Sequence, residues 1–197
     1  MSNARLTGHP GPLSGYKAIE ICSTVAGPAC GRILADFGAD VIKIEPPSGD
    51  PLRNMGKHVG DVSLYAATAL RNKRAMVIDL KTDEGRDLVR RLAAKTDVLV
   101  ENYRPGVMER LGLGYEDLSR DNPGLVMVRI SGYGQTGPYR MRPGYGAICE
   151  AMAGVRHLTG DPDRPPARVA VATTDYLSAV HAAFGTVSAL LNRTRTG

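Results

Sequence analysis

The chain has 197 residues, 43% hydrophobic and 23% charged, enough for one domain with a sizeable core, and no apolar run reaches the roughly 18 residues of a membrane span. Its net charge of +5 favours an anionic partner, but 25 basic residues are interspersed with 20 acidic ones and form no tract, which argues against nucleic acid and for phosphate on a small ligand. Cys22, Cys30 and Cys149 are odd in number and lack C-x-x-C spacing, which suggests neither a disulfide framework nor a zinc site and fits reduced, buried thiols in a cytoplasmic protein.

Residues 1–15 are rich in Gly, Pro and Ser without an apolar h-region and read as a flexible leader, not a signal peptide. Strand-like and helix-like segments then alternate. Lys17–Ser23 is a short apolar run, Pro28–Phe37 has helical spacing at Ile33, Leu34 and Phe37, and Asp40–Glu45 alternates Val41, Ile42 and Ile44 with charge. Ser63–Leu70 is expected as helix, Ala75–Leu80 as strand, Thr82–Lys95 as an amphipathic helix capped by Thr82, and Asp97–Glu101 as strand. Two short helices, Gly106–Leu111 and Tyr115–Arg120, lead to a strand over Leu125–Ser131. This order predicts an α/β fold with an open, mostly parallel, Rossmann-like sheet and helices on both faces.

From 132 to 146 the pattern dissolves into a loop rich in glycine and proline with tyrosines and arginines between, suited to bring its backbone close to a ligand. Ala147–Gly154 reads as helix, Asp161–Pro166 as a turn and Arg168–Ala172 as extended chain. The last helix runs from about Asp175 to Leu191, with Val180, Phe184, Val187 and Leu191 on one stripe.

Asp175 is the candidate nucleophile, a carboxylate where an extended apolar run meets a long helix. The competing reading is an N-cap, a role open to Thr174 as well. A dinucleotide site is disfavoured, although Glu45 ends the second strand where a ribose ligand belongs: G-x-G-x-x-G is absent, and Pro28 stands where the close-approach glycine is needed. His181 lies six residues beyond Asp175, off the i+3 and i+4 positions, and His9, His58 and His157 read as structural or surface residues.

Several segments resemble one family in order and spacing: Ala26-Gly27-Pro28-Ala29-Cys30, Gly38-Ala39-Asp40-Val41-Ile42-Lys43-Ile44-Glu45, Asn72-Lys73-Arg74, Asp79-Leu80-Lys81-Thr82, Val100-Glu101-Asn102-Tyr103-Arg104-Pro105-Gly106, and Gly132 through Pro138. Together they resemble the family III CoA-transferases, which share their fold with alpha-methylacyl-CoA racemase, over residues 13 to 197.

The resemblance implies transfer of coenzyme A from an acyl-CoA donor to a small carboxylic acid, through an aspartyl anhydride and then an aspartyl thioester on Asp175. Acyl-CoA is then a substrate, with no permanently bound cofactor and no metal. The resemblance places Val25 and Ala26 along the pantetheine arm. It places Ile78, Asp79, Lys81, Asn102, Tyr103 and Arg104 at the adenosine end, Arg110 on a phosphate, and Arg142 and Tyr145 beside the nucleotide. Arginine suits phosphate because its planar fork pairs two oxygens at once. Val25 stands where formyl-CoA transferase carries glutamine, Pro46 where it carries arginine, and Tyr145 where racemases carry histidine. Racemase chemistry, or CoA binding without turnover, is therefore the second reading. The resemblance also implies that residues 16–197 are the amino-terminal portion of the family's large domain, without its small domain, and that the full-length protein interlocks as a homodimer.

Overall fold

A computed structural model describes residues 11–196. Strand β1 (Lys17–Ile21) leads through helix α1 (Ala26–Asp36) to β2 (Asp40–Glu45). A 3-10 turn at Pro51–Asn54 and a small antiparallel hairpin, β3 (His58–Val59) with β4 (Val62–Ser63), precede α2 (Leu64–Ala69). Then follow β5 (Arg74–Val77), α3 (Asp83–Ala93), β6 (Val98–Glu101), α4 (Val107–Arg110), α5 (Tyr115–Asp121) and β7 (Val126–Arg129). Helices α6 (Gly146–Met152), α7 (Val155–Leu158) and α8 (Thr173–Thr196) complete the chain. The turn, the hairpin and α7 are additions to the sequence-based expectation.

The main sheet runs β5-β2-β1-β6-β7 with every neighbouring pair parallel, as the strand–helix alternation predicts. In the two central pairs, Ile19 lies level with Ile42 on one side and Leu99 on the other. Both faces are covered. Ala18, Ala29, Leu34, Val98, Val100, Ala179 and Ala183 form the core under α1 and α8, while Ile19, Ile21, Ile44, Val89, Leu99, Met108 and Leu118 form the core under α3, α4 and α5. Thr82 caps α3 as expected, its Oγ1 accepting the Gly85 N–H at 3.0 Å, with Asp83 and Glu84 in the positive first turn.

Two expectations need correction. Residues 1–10 of the proposed leader, His9 among them, lie outside the described residues, but 11–15 pack onto the domain: Leu13 is buried and its N–H donates to Phe37 O at 2.9 Å. On α8 the stripe of Val180, Phe184, Val187 and Leu191 is not the face that packs on the domain. Ala179, Ala183, Thr186 and Leu190 are buried, whereas Val180, Phe184, Val187 and Leu191 face outward, Phe184 with 74% exposure. The cause is the partner helix. The N-terminal half of α1 is built from Ala26, Gly27, Ala29, Cys30 and Gly31, and a seam of small residues lets two helices approach where bulkier ones would hold them apart.

Four charged side chains are buried beneath the C-terminal end of β1. Lys43 Nζ reaches Glu20 Oε1 at 2.9 Å, Asp50 Oδ2 at 2.7 Å and the carbonyl of Cys22 at 2.7 Å. Lys73 Nζ reaches Glu20 Oε2 and Pro28 O, both at 2.6 Å. Burial pushes both ammoniums down; at Lys43 the two carboxylates outweigh it and the net shift is upward, whereas Lys73 has only Glu20 and ends lowered. Gly31 makes room for the cluster, since a Cβ there would lie 1.9 Å from Glu20 Oε2. Lys43→Met leaves Asp50 without its cation and Glu20 with one of two. It is expected to destabilise the fold by about 3–5 kcal/mol, read from the urea midpoint; a loss under about 1 kcal/mol would mean that the cluster behaves as a solvated one.

Candidate active site

The crossovers from β1 diverge. Strand β2 lies on one side of it and β6 on the other, so a crevice opens at the carboxyl ends of β1 and β6, the usual ligand position in such sheets. The turn after β1 forms one wall and is tied from several directions. Ser23 N–H donates to Asn102 Oδ1 at 3.0 Å, and Asn102 Nδ2 donates to Ser23 O at 2.8 Å. Thr24 adopts φ +62°, a left-handed conformation unusual for a branched residue, and its N–H points at Asp50 Oδ1, 3.4 Å away. Gly27 is required for packing: a Cβ there would lie 2.4 Å from Cys22 Sγ.

The resulting cleft has a volume of about 230 Å³. Ser23, Thr24 and Ala26 line it from β1 and α1, and Asn102–Pro105 from the end of β6. Ile130–Gly132 follow β7, Arg142–Gly146 close the glycine-rich loop, and Cys149, Thr174, Asp175 and Ser178 come from α6 and α8. The 102–104 segment is braced from below, where Glu101, fully buried, accepts Tyr103 N–H at 2.7 Å and pairs with Arg129 at 2.8 Å. Arg142 lies over the Tyr139 ring, 4.1 Å from its centre, and Tyr139 meets Tyr133 edge to face.

Asp175 lies within the first turn of α8, which begins at Thr173, so it is not the residue that caps the helix. Its carboxylate rests on Gly146. A Cβ at Gly146 would lie 2.2 Å from Asp175 Oδ2 and 2.5 Å from Thr174 Oγ1, and since Gly146 does not have a positive φ, space alone demands glycine. Burial holds the Asp175 carboxyl above its ordinary value, the nearby Glu150 carboxylate adds to the rise, and the residue's own N–H and Arg168 oppose it.

The expected site residues divide into two groups. Ala26, Asn102, Tyr103, Arg104, Arg142 and Tyr145 line the same cleft as Asp175. Val25, Ile78, Asp79, Lys81 and Arg110 do not. Val25 is half-buried at the entry to α1, and Ile78 is buried with its N–H on Glu45 O. Asp79 Oδ1 accepts Lys81 N–H at 2.9 Å in the loop leaving edge strand β5, and Arg110 is exposed at the end of α4. Glu45 is occupied by Arg53 and the Asp50 N–H, which removes it as a free ribose ligand.

The thiols differ in setting. Burial pushes Cys30 up to about 12 and Cys22 well above its usual value. Cys149 is only partly buried, contrary to expectation; its thiol donates to Gly132 O at 3.4 Å and is raised by burial and by Asp175. Sequence reasoning missed Gly146, Cys149 and Glu150. The available signal was Glu150 itself, an acidic residue in an otherwise apolar helix.

An open parallel sheet with a crevice at its switch point, one half-buried carboxylate and an arginine-bearing rim defines an α/β ligand-binding domain built for an anion. The chain belongs to CoA-transferase family III, whose sequence profile matches residues 13–197. A succinyl-CoA–D-citramalate CoA-transferase of Chloroflexus aurantiacus is 50% identical over 190 residues, covering 95% of this chain and 47% of that protein. A succinyl-CoA:glutarate CoA-transferase of Mus musculus is 42% identical over 188 residues, 94% of this chain and 43% of its own length. A solved CAIB/BAIF family protein from Brucella suis superposes with a TM-score of 0.92 at 42% identity, covering 96% of this chain and 51% of that one. The chain thus spans about half the length of the relatives it matches.

Gly146→Ala is expected to push the Asp175 carboxylate out of its seat and to lower the melting temperature modestly, as an overpacked methyl does, without unfolding the protein. Turnover that depends on that carboxylate should fall about 100-fold, the scale of a 1 Å misplacement; unchanged turnover would show that the carboxylate takes no part.

Proposed function

We propose that the protein transfers coenzyme A from a short acyl-CoA donor to a small carboxylic acid, with Asp175 as the carboxylate that is acylated. The observation that carries this reading is the seat of Asp175: half-buried, pressed on Gly146, and open to the crevice between the ends of β1 and β6. An ionised carboxylate needs no general base, only placement and a site with little water.

Asp175 Oδ attacks the thioester carbonyl carbon, the C–S bond breaks, and CoA leaves as a thiolate, giving a mixed anhydride. The thiolate then attacks the aspartyl carbonyl carbon, which releases the donor acid as carboxylate and leaves an aspartyl-CoA thioester. The acceptor carboxylate attacks that thioester, a second anhydride forms, and the returning thiolate takes the acceptor's acyl group. Asp175 is regenerated, and no proton is transferred in the cycle.

In this reading Ala26, Asn102, Tyr103, Arg104, Arg142 and Tyr145, which share the cleft, flank the reacting arm. Val25 supports it from the entry to α1. Ile78, Asp79, Lys81 and Arg110 serve the nucleotide end. The loop after β5 is two strands, about 10 Å, from β1, a span an extended CoA molecule covers. The relatives named for succinyl-CoA and for citramalate or glutarate support short acids on both sides of the exchange. The outward stripe Val180, Phe184, Val187 and Leu191 supports a homodimer, since apolar surface on this scale favours coverage.

Incubation with succinyl-CoA followed by hydroxylamine is expected to yield a hydroxamate at Asp175, located by peptide mass spectrometry and lost in Asp175→Asn. A hydroxamate elsewhere, or one that survives the substitution, overturns the assignment. Because the reactive form is ionised and its pKa is raised above 3.8, adduct formation should fall away on acidification at a higher pH than an ordinary aspartate would show. Sedimentation at micromolar concentration is expected to give twice the chain mass; a monomer overturns the dimer.

A further inference from the structure

Charged and titratable groups approach Asp175 from several elements. Cys149 and Glu150 lie on α6, Arg168 on the extended chain before α8 and Tyr65 on α2, while Arg142 and Tyr145 line the same cleft. Glu150 stands apart from these. It is 1% exposed, and its Oε2 has no hydrogen-bond partner among the described residues. Buried carboxylates are normally paired, because an isolated one is costly.

Helix geometry locates it. Glu150 follows Gly146 by four residues on α6, so the two share a face with side-chain origins about 6 Å apart. Gly146 is the residue on which the Asp175 carboxylate rests. Helical side chains lean toward the N-terminus of their helix, which directs Glu150 back toward that contact.

We propose that Glu150 is a positioning residue for Asp175: its buried carboxylate opposes the charge of the free aspartate and so favours the uncharged, acylated form. This rests on the reading of Asp175 as the acylated group. When both carboxyls are ionised, two like charges share a partly desolvated site, where repulsion is stronger than in water. When Asp175 Oδ bonds to the acyl carbon, the electron pair of the broken C–S bond leaves on the CoA sulfur, and the charge facing Glu150 moves away. Glu150 forms no bond and transfers no proton. The raised Asp175 carboxyl agrees in direction, with Glu150 second only to burial as its cause. Arg168 acts in the opposite sense but is exposed, so solvent screens it.

Glu150→Gln preserves side-chain volume and removes the charge. Carbon-13 NMR titration of the Asp175 carboxyl is expected to show a lower midpoint in Glu150→Gln, by about one pH unit, and the yield of the succinyl adduct should fall about tenfold. Glu150→Asp, which keeps the charge, should retain most of the wild-type midpoint. If the midpoint does not move in Glu150→Gln, the proposal is overturned whether or not the adduct forms. A midpoint that falls in a protein forming no adduct at Asp175 supports the charge pair and overturns the acylation reading instead.

Discussion

The Lys43 ammonium is the contact on which the architecture around the cleft depends. It is buried among oxygens from three places: the Glu20 side chain and the Cys22 carbonyl at the end of β1, and Asp50 in the loop after β2. A cation this deep is tolerable only when its partners are all in position. Lys73 extends the same cluster to the first turn of α1 through Pro28 O. One set of charges therefore joins two strands, a loop and a helix, and Asp50 meets the N–H of Thr24 in the turn that walls the cleft. The strained φ of Thr24 is tolerated because its surroundings are fixed.

The site is assembled from segments distant in sequence. Asn102 and Ser23, 79 positions apart, exchange two hydrogen bonds across the mouth of the crevice. Asp175 reaches the crevice because α8 packs lengthwise on α1, and the small residues of both helices allow that approach. Gly146 then sets how far the carboxylate can sink between α6 and α8.

Most of the sheet was legible in the sequence, since Val98–Val100 is apolar without interruption, Ala18–Ile21 is broken only by Glu20, and both runs are buried on both faces. The seam of α8 was not. Its period is visible, but two apolar stripes lie side by side and only the small-residue surface of α1 selects Ala179 and Ala183 over Val180 and Phe184. The hairpin of β3 and β4 has two residues per strand, too few to carry alternation. At the site, Asp175 and six of the expected neighbours share one cleft, because each sits at a strand end, on the loop or at a helix start that the strand–helix order already places. Ile78, Asp79 and Lys81 stand apart from it, as spatial strand order, which the chain order does not reveal, puts β5 at the far edge, and Arg110 stands apart at the exposed end of α4.

Cys149 has a chemical consequence for the proposed cycle. A sulfur beside an activated acyl group is an alternative acceptor, and a thiolate there would capture the acyl group as a thioester on the protein and divert it from coenzyme A. Burial and the neighbouring carboxylate keep this sulfur protonated, with its hydrogen turned to the Gly132 carbonyl. In the proposed cycle, the same negative surroundings that raise the aspartate carboxyl thus make the cysteine a worse nucleophile, so that a single electrostatic environment would separate oxygen from sulfur chemistry within one cleft.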